Sequence, residues 1–309
     1  MVNLRDLRIR MKAIRQTLQV TKAMKLISTA KLRKCRRILQ DTEPYFVRIQ
    51  KLMFDILSSA SMDNSKFFSN SSIKSSGENI GENIRGNNSR TAIIVISSDK
   101  GLAGGYNANI FHQVNELCAK ALNPVLILIG TIGYRYFFNS QWLVLENFSF
   151  KSKLPEMDDA KAIADYVIAQ YLWGMFDEVH IIYTHMYSSI KLIPRERQLL
   201  PLNKEKLQEE LDETGVKRVD LQFEFWPSRE EVFDHLVPMY IKGIIYGSLV
   251  EAYVSEQSAR MSAMDEASKS AEEMLASLHM NYNRARQSEI TQQITEISGG
   301  AEALKRKIN

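Results

Sequence analysis

The stretch SLVEAYVSEQSARMSAMDEASKSAEEMLASLHMNYNRARQSEITQQITEISGGAEALKRKIN, residues 248–309, decides the fold. It contains no proline, and its only glycines are Gly299 and Gly300, close to the end. Ala, Glu, Met, Leu, Gln and Arg dominate it, and these are good helix formers. Ile290, Ile294, Ile297, Ala301, Leu304 and Ile308 recur at alternating spacings of four and three. That repeat is the seam of a helix winding left-handed around a partner. Upstream, Ala259, Ala263, Ala267 and Ala271 form a narrow face of small side chains that admits a second backbone. Fifty residues of such helix span roughly 75 Å, about twice the width of an ordinary domain. One small core cannot bury it, so the helix needs a partner.

The other end of the chain supplies one. Leu4, Leu7, Met11, Ile14 and Leu18 carry the same alternation, and neither Gly nor Pro occurs before Pro44. The pattern predicts a second long helix over residues 3–57, bent at Pro44, where the missing N–H and the ring break the ladder. Two such helices around a compact middle predict an antiparallel coiled coil; the alternative is two amphipathic helices packed separately on the body. Charge favours pairing. Residues 1–37 hold twelve Lys or Arg and the single acid Asp6, whereas residues 248–309 hold seven bases and nine acids. The surplus positive charge is left for acidic protein loops, phosphates or water.

Between the helices the composition changes twice. From Asp63 to Arg90, sixteen of twenty-eight residues are Ser, Asn or Gly, and GENI occurs twice in succession. Such a segment has nothing to build a core with and reads as a flexible surface insertion. Regular patterns resume at Thr91. AIIVIS (92–97) and VLILI (125–129) are continuous apolar runs of strand length. Further strands are predicted at 142–146, 178–184 and 219–226, with an edge strand and turn over 191–202. Helices are predicted at 107–122, from Gly130 through Phe138, and at 158–173, with a short charged segment at 207–214. Buried strands alternating with helices argue for a Rossmann-like, parallel-rich α/β sheet. The expected organisation is an N-terminal coiled-coil helix (1–60), the insertion (61–90), the α/β domain (91–227) and a C-terminal coiled-coil helix (228–309). Gly243 and Gly247 mark a candidate bend in the last.

The loop SSDKGLAGGYN (97–107) is the most tempting chemical motif, since a glycine-rich strand-to-helix turn can cradle phosphate. Its spacing is G-x-x-G-G, neither the dinucleotide nor the P-loop fingerprint. The second apolar run ends at Ile129-Gly130 with no acid to hold a ribose. A tight turn with Asn107 or a neighbour capping the next helix, or a loop that docks on another protein, accounts for it as well. No nucleophile elbow, clustered Cys/His set or H-x-x-x-H pair occurs, so no catalytic residue, metal or cofactor is expected. Cys35 and Cys118 lie far apart, which fits a reduced compartment.

With 45% hydrophobic and 25% charged residues and a net charge of +4, the composition is that of a globular protein. No apolar run reaches about 18 residues, so no membrane span is expected. The basic start lacks the apolar core of a secretory signal, and its seam continues unbroken into the main helix rather than reading as a transit peptide.

The two ends together resemble the gamma subunit of the F-type ATP synthase. The matching stretches are IRQTLQVTKAMKLISTAKLRK (14–34), SSDKGLAGGYN (97–107), YGSLVEAYVSEQSARMSAMDEASKSAEEML (246–275) and NRARQSEITQQITEISGGAEAL (283–304). SEQSARM with RQ-x-x-IT is the most specific part; residues 120–240 match more loosely and the insertion not at all. The resemblance implies a central rotor shaft set in a ring of alternating alpha and beta subunits, its α/β domain near the epsilon subunit and the c ring. Rotation of the c ring by ion flow would press each beta subunit in turn through ATP synthesis, with hydrolysis running it backwards. Catalysis would belong to the beta subunits, and this chain would carry no nucleotide.

Carried over by position, Arg286 and Gln287 match residues that hydrogen-bond a catch loop of a beta subunit. Met24, Arg260, Thr291 and Glu296 match positions important for coupling, and Lys100 with its loop matches the region near the lower beta levers. Three features depart from common members. Ala103 stands for a cysteine, Gln293 stands for a glutamate, and no cysteine follows Cys118, which removes the dithiol of the light-regulated chloroplast type. The implied location is peripheral, on the cytoplasmic face of a bacterial plasma membrane, or the inner face of an organellar energy-coupling membrane. Two rivals remain: a basic coiled-coil protein binding nucleic acid through phosphate neutralisation, and a nucleotide-binding α/β enzyme with helical arms. The first suffers from scarce aromatics in the basic helix, the second from the loop spacing.

Overall fold

The computed structural model describes residues 4–58, 67, 90–149, 154–188, 191–203, 226 and 228–308. Its elements in chain order are α1 (Leu4–Ser58), β1 (Thr91–Ile96), α2 (Tyr106–Lys120), β2 (Val125–Ile129), α3 (Thr131–Phe137), β3 (Leu143–Phe148), α4 (Met157–Leu172), β4 (Glu178–Met186), β5 (Leu192–Leu200) and α5 (Arg229–Ile308). The chain divides into two compact units: Met1–Ser28 with Met261–Asn309, and Thr29–Arg260.

In the first unit the expected pairing of the two ends is present. The inward stripe of α1 falls on Leu4, Leu7, Met11, Ile14, Leu18 and Thr21, with Leu7 and Thr21 fully buried. Arg8 Nη2 donates to the Tyr282 hydroxyl at 2.8 Å, Thr21 and Ser268 hydroxyls lie 2.8 Å apart, and Lys22 pairs with Glu272 at 2.6 Å. Lys25 pairs with Asp265. Partner numbers fall as α1 numbers rise, which makes the helices antiparallel. Opposite charge on facing helices fixes this register, although pairs this exposed contribute only about 0–1 kcal/mol each.

The seam of α5 differs from the expectation. It runs through Met264, Ser268 and Ala271, which are buried, then Leu275, Leu278 and Tyr282, which are half-buried. Ala263 and Ala267 flank it. Ile290, Ile294 and Ile297 are 46, 62 and 74% exposed. The reason is length: Arg8 is already level with Tyr282, so α1 has almost run out before Ile290 is reached.

The second unit is a five-stranded sheet in the order β3-β2-β1-β4-β5. β1 pairs in parallel with β2 and β4, β2 with β3 in parallel, and β5 closes the edge antiparallel to β4. Every residue of β1 and β2 is buried, the signature of parallel strands covered on both faces. Ile93, Val95, Leu126 and Leu128 meet Ile110, Phe111 and Val114 of α2 and Phe137 of α3 in one core cluster. Each such fully buried side chain contributes about 1.5–3 kcal/mol. Helix α4 buries Ala160, Ile163, Ala164, Val167, Ile168 and Tyr171. The parallel-rich α/β expectation therefore holds, with boundaries moved by one or two residues.

The single N-terminal helix expected over 3–57 is present as α1 with Pro44 inside it, and α5 runs through Pro238, Gly243 and Gly247. Of the expected caps, Asn107 or a neighbour, helix α2 takes the neighbour Gly105, without a side-chain cap bond. Within the interval expected to hold no core residue, Phe67 is 4% exposed, and its carbonyl accepts the Leu202 N–H at 2.8 Å. The rest of that interval except Arg90, the segment at 207–214 and residues 219–225 of the expected strand lie outside the described residues; Trp226 is 89% exposed.

Candidate functional site

The loop between β1 and α2 is held from three sides. Ser97 N–H donates to Ile129 O at 2.8 Å, Ser97 Oγ donates to the same carbonyl, and Gly133 N–H donates to Ser97 Oγ at 3.0 Å. Asp99 Oδ1 accepts from Thr131 N–H and Oγ1 at 3.0 and 3.1 Å, so the loop caps the first turn of α3. Asn107, instead of capping its own helix, turns back to the strand end: its Oδ1 accepts the Ser98 N–H at 3.1 Å. Gly130 has φ +97°, and a Cβ there would stand 2.3 Å from Ser97 O. Only glycine permits the two strand ends to approach so closely.

The third side is Arg260 of α5, 6% exposed. Its Nη2 donates to Lys100 O at 2.9 Å, and Nε and Nη2 both lie 3.3 Å from Gly101 O. The same Nη2 pairs with Glu256 at 2.6 Å, one helical turn earlier. Burial pushes the Glu256 carboxyl up, and Arg260 opposes that shift. Tyr106 and Ser255 extend the polar knot, donating to Ala252 O at 3.2 Å and Thr184 O at 2.9 Å. Burial likewise raises the Tyr106 hydroxyl well above its ordinary range.

A ligand at this strand end would meet a cavity of only about 50 Å³, lined by Ile96, Asp99, Tyr106, Ile129, Tyr253 and Glu256 among others. That is room for a water or two. In open α/β sheets nucleotides bind where strand order reverses. Here Leu249, Ala252, Tyr253 and Glu256 of α5 line the space, and the acidic residues Asp99 and Glu256 on its wall disfavour phosphate. Among the described residues no cluster of His, Cys, Asp and Glu could hold a metal ion.

The residues singled out in the sequence fall into separate groups. Lys100 and Arg260 are brought together, but through the Lys100 carbonyl; the Lys100 side chain is exposed. Met24 is half-buried in the first unit. Arg286, Gln287, Thr291 and Glu296 lie along the exposed part of α5 beyond the seam. Thr291 Oγ1 donates to Gln287 O at 2.9 Å, and Gln292 Nε2 to Glu296 Oε1 at 2.9 Å. The Arg286 guanidinium has no hydrogen bond or ion pair among the described residues. Sequence reading missed Glu256, Asp99 and Leu102. The i,i+4 spacing of Glu256 and Arg260 was a usable signal. Nothing in the sequence announced that Leu102 would sit 61% exposed at φ 63°.

Comparison with known proteins places these observations. A family profile described as ATP synthase matches residues 3–304. The "ATP synthase gamma chain" of Acetivibrio thermocellus is 41% identical over 99% of this chain and 100% of its own length. That of Ruminiclostridium cellulolyticum is 42% identical over 98% and 99%. A chain described as "sodium ion specific" from Acetobacterium woodii is 34% identical over 98% and 99%. Among solved structures, a chain of the Tetrahymena thermophila mitochondrial ATP synthase, central stalk and c ring, matches with TM-score 0.56 and 25% identity. That match covers 81% of this chain and 99% of the other. A chain of the Euglena gracilis mitochondrial ATP synthase shares the fold at TM-score 0.63 and 15% identity, covering 97% and 94%. No described helix is long and apolar enough to cross a membrane. The chain belongs to the gamma-chain family of the F-type ATP synthase.

Proposed function

We propose that this chain is the rotor that couples rotation of the membrane c ring to ATP synthesis and hydrolysis in the beta subunits, without supplying a catalytic side chain. The observation that carries this reading is the first unit. Two antiparallel helices close one seam, while α5 runs on past it from Arg286 to Ala301 with every side chain exposed. A helix that long and that bare is built to be surrounded by other chains, here a ring of alpha and beta subunits. Paired helices resist torsion better than one. The outward charges form weak pairs that can be remade at each step.

In this reading Arg286 and Gln287 engage a catch loop of a beta subunit, the planar guanidinium fork suiting a carboxylate. Thr291, Glu296, Met24 and Arg260 serve coupling, and Lys100 approaches the lower beta levers. The α/β unit meets epsilon and the c ring, so membrane association is indirect, on the cytoplasmic face of a bacterial membrane or its organellar equivalent. The cavity size and its two carboxylates disfavour the nucleotide-binding enzyme. Nucleic-acid binding gains no support from Lys22 and Lys25, whose charges face Glu272 and Asp265 of α5.

Arg286→Ala, in the complex reassembled with alpha and beta subunits, tests the assignment. Turnover is expected to fall while the circular dichroism of the free chain stays unchanged. Unaltered turnover would remove Arg286 from the catch.

A further inference from the structure

The helix pair of the first unit is tied at one level by polar groups that have a choice of partner. Thr21 and Ser268 are 7 and 6% exposed, and their hydroxyl oxygens stand 2.8 Å apart across the seam. Thr21 Oγ1 also lies 3.0 Å from Leu18 O in its own helix, and Ser268 Oγ lies 2.7 Å from Met264 O in its own. Leu18 O, Thr21 Oγ1, Ser268 Oγ and Met264 O thus form a row with hydrogen-bonding distances between neighbours. Each hydroxyl has only one hydrogen to give. With the interhelical bond made, one hydroxyl gives up its own carbonyl. With it broken, each hydroxyl donates within its own helix. Both arrangements keep the same number of hydrogen bonds. About one turn along, Asp265 repeats the pattern. Lys25 of α1 meets its Oδ1, while Lys269 of the same helix holds its Oδ2 at 3.2 Å.

We infer that this level, Thr21 to Lys25 against Asp265 to Lys269, is a yielding joint in the helix pair, where the helices shift past one another by trading interhelical for intrahelical partners. A buried polar group ordinarily resists such separation, because losing its partner leaves it desolvated and unsatisfied. Here no hydroxyl and no carboxylate is left bare by the shift. Ala267 beside the pair and Ala271 beyond it add little bulk. The seam residues of α1 above it, Leu7, Met11, Ile14 and Leu18, interlock as close-packed apolar side chains and offer no comparable exchange. The purpose of the joint rests on the rotor reading: a shaft loaded by torque can twist at this level and return without losing a bond.

The first arm of the test uses the free full chain. Thr21→Val and Ser268→Ala are compared singly and together by hydrogen exchange of the α5 amides from Asp265 to Leu275. If separation costs no bond, each variant removes one bond and the double variant removes two, so their effects on local opening multiply. An interhelical bond held in addition to both carbonyl bonds would make the combined single effects exceed the double by about fivefold, and that coupling would overturn the joint. The second arm is the complex reassembled with alpha and beta subunits, carrying Thr21→Cys and Ser268→Cys. The hydroxyl separation suits a disulfide, and Cys35 and Cys118 are buried. Oxidation clamps the joint, so a bead on the α/β unit is expected to show a narrower angular fluctuation in the absence of ATP, restored by reductant. Unchanged fluctuation with the bridge formed would overturn the joint. An unaltered complex that hydrolyses ATP without turning the bead would sink the rotor reading separately, with the exchange result still deciding the joint.

Discussion

Gly130→Ala should be among the most damaging small changes in the α/β unit. Gly130 follows β2 at φ 97° and ψ 144°, a region that costs an L residue about 1–3 kcal/mol. The new methyl would also stand 2.3 Å from Ser97 O and 2.8 Å from Ser97 Oγ, and neither neighbour is a flexible chain end. Relieving that clash pulls Ser97 away from Ile129 O and Gly133 N–H, which it holds at 2.8 and 3.0 Å. Each buried polar group left without a partner costs about 1–3 kcal/mol. The combined loss is therefore at least about 3 kcal/mol. The assay is urea unfolding of the purified chain followed by circular dichroism, with Gly101→Ala as the control. A Cβ at Gly101 meets nothing within 4 Å, so that variant should stay within about 0.5 kcal/mol of the parent. If Gly130→Ala matched the control, the close packing of the β1 and β2 ends would be refuted. The support that Thr131 gives Asp99 and the loop would fall with it.

Three further outcomes follow from particular residues. Gly299 and Gly300 lie in helix with open space around each Cβ position, so each Gly→Ala change should strengthen the local helix by about 0.5–1 kcal/mol, read as slower amide exchange there. Burial pushes the Cys35 thiol up to about 11 and the Cys118 thiol up to about 12; alkylation at pH 8 should therefore be negligible in the native chain and fast in urea. Hydrogen bonds from Lys25 and then Lys269 hold the Asp265 carboxyl below its usual range. A lowered folded value means stabilisation present above about pH 4 and lost as pH falls through the folded value, and Asp265→Asn should remove this part of the acid-limb dependence.

Elements governed by local periodicity were legible in the chain. The stripe from Leu4 to Leu18 needed only a repeat of three and four residues, and the apolar runs at 92–97 and 125–129 needed only length and β-branching. The misplaced part of the C-terminal seam was a question of reach. Ile290, Ile294 and Ile297 have seam spacing, but whether they meet a partner helix depends on where the other helix ends. The site was harder still. Asn107 has the right chemistry for a cap, and only the close approach of Ser98 diverts it. The spacing could pair Arg260 with Glu256, but its carbonyl partners at Lys100 and Gly101 lie about 160 residues away in sequence, so neither its hold on the loop nor the exposure of Leu102 can be read from spacing.

The claim that this chain turns inside a ring is tested most directly by watching it turn. A bead would be fixed to a cysteine introduced by Trp173→Cys, a position 75% exposed, in a complex whose alpha and beta subunits are anchored to glass. On addition of ATP the bead should rotate in one direction, and rotation should stop when the nucleotide is removed. ATP hydrolysis by the same immobilised complexes with the bead merely fluctuating would contradict the rotor account.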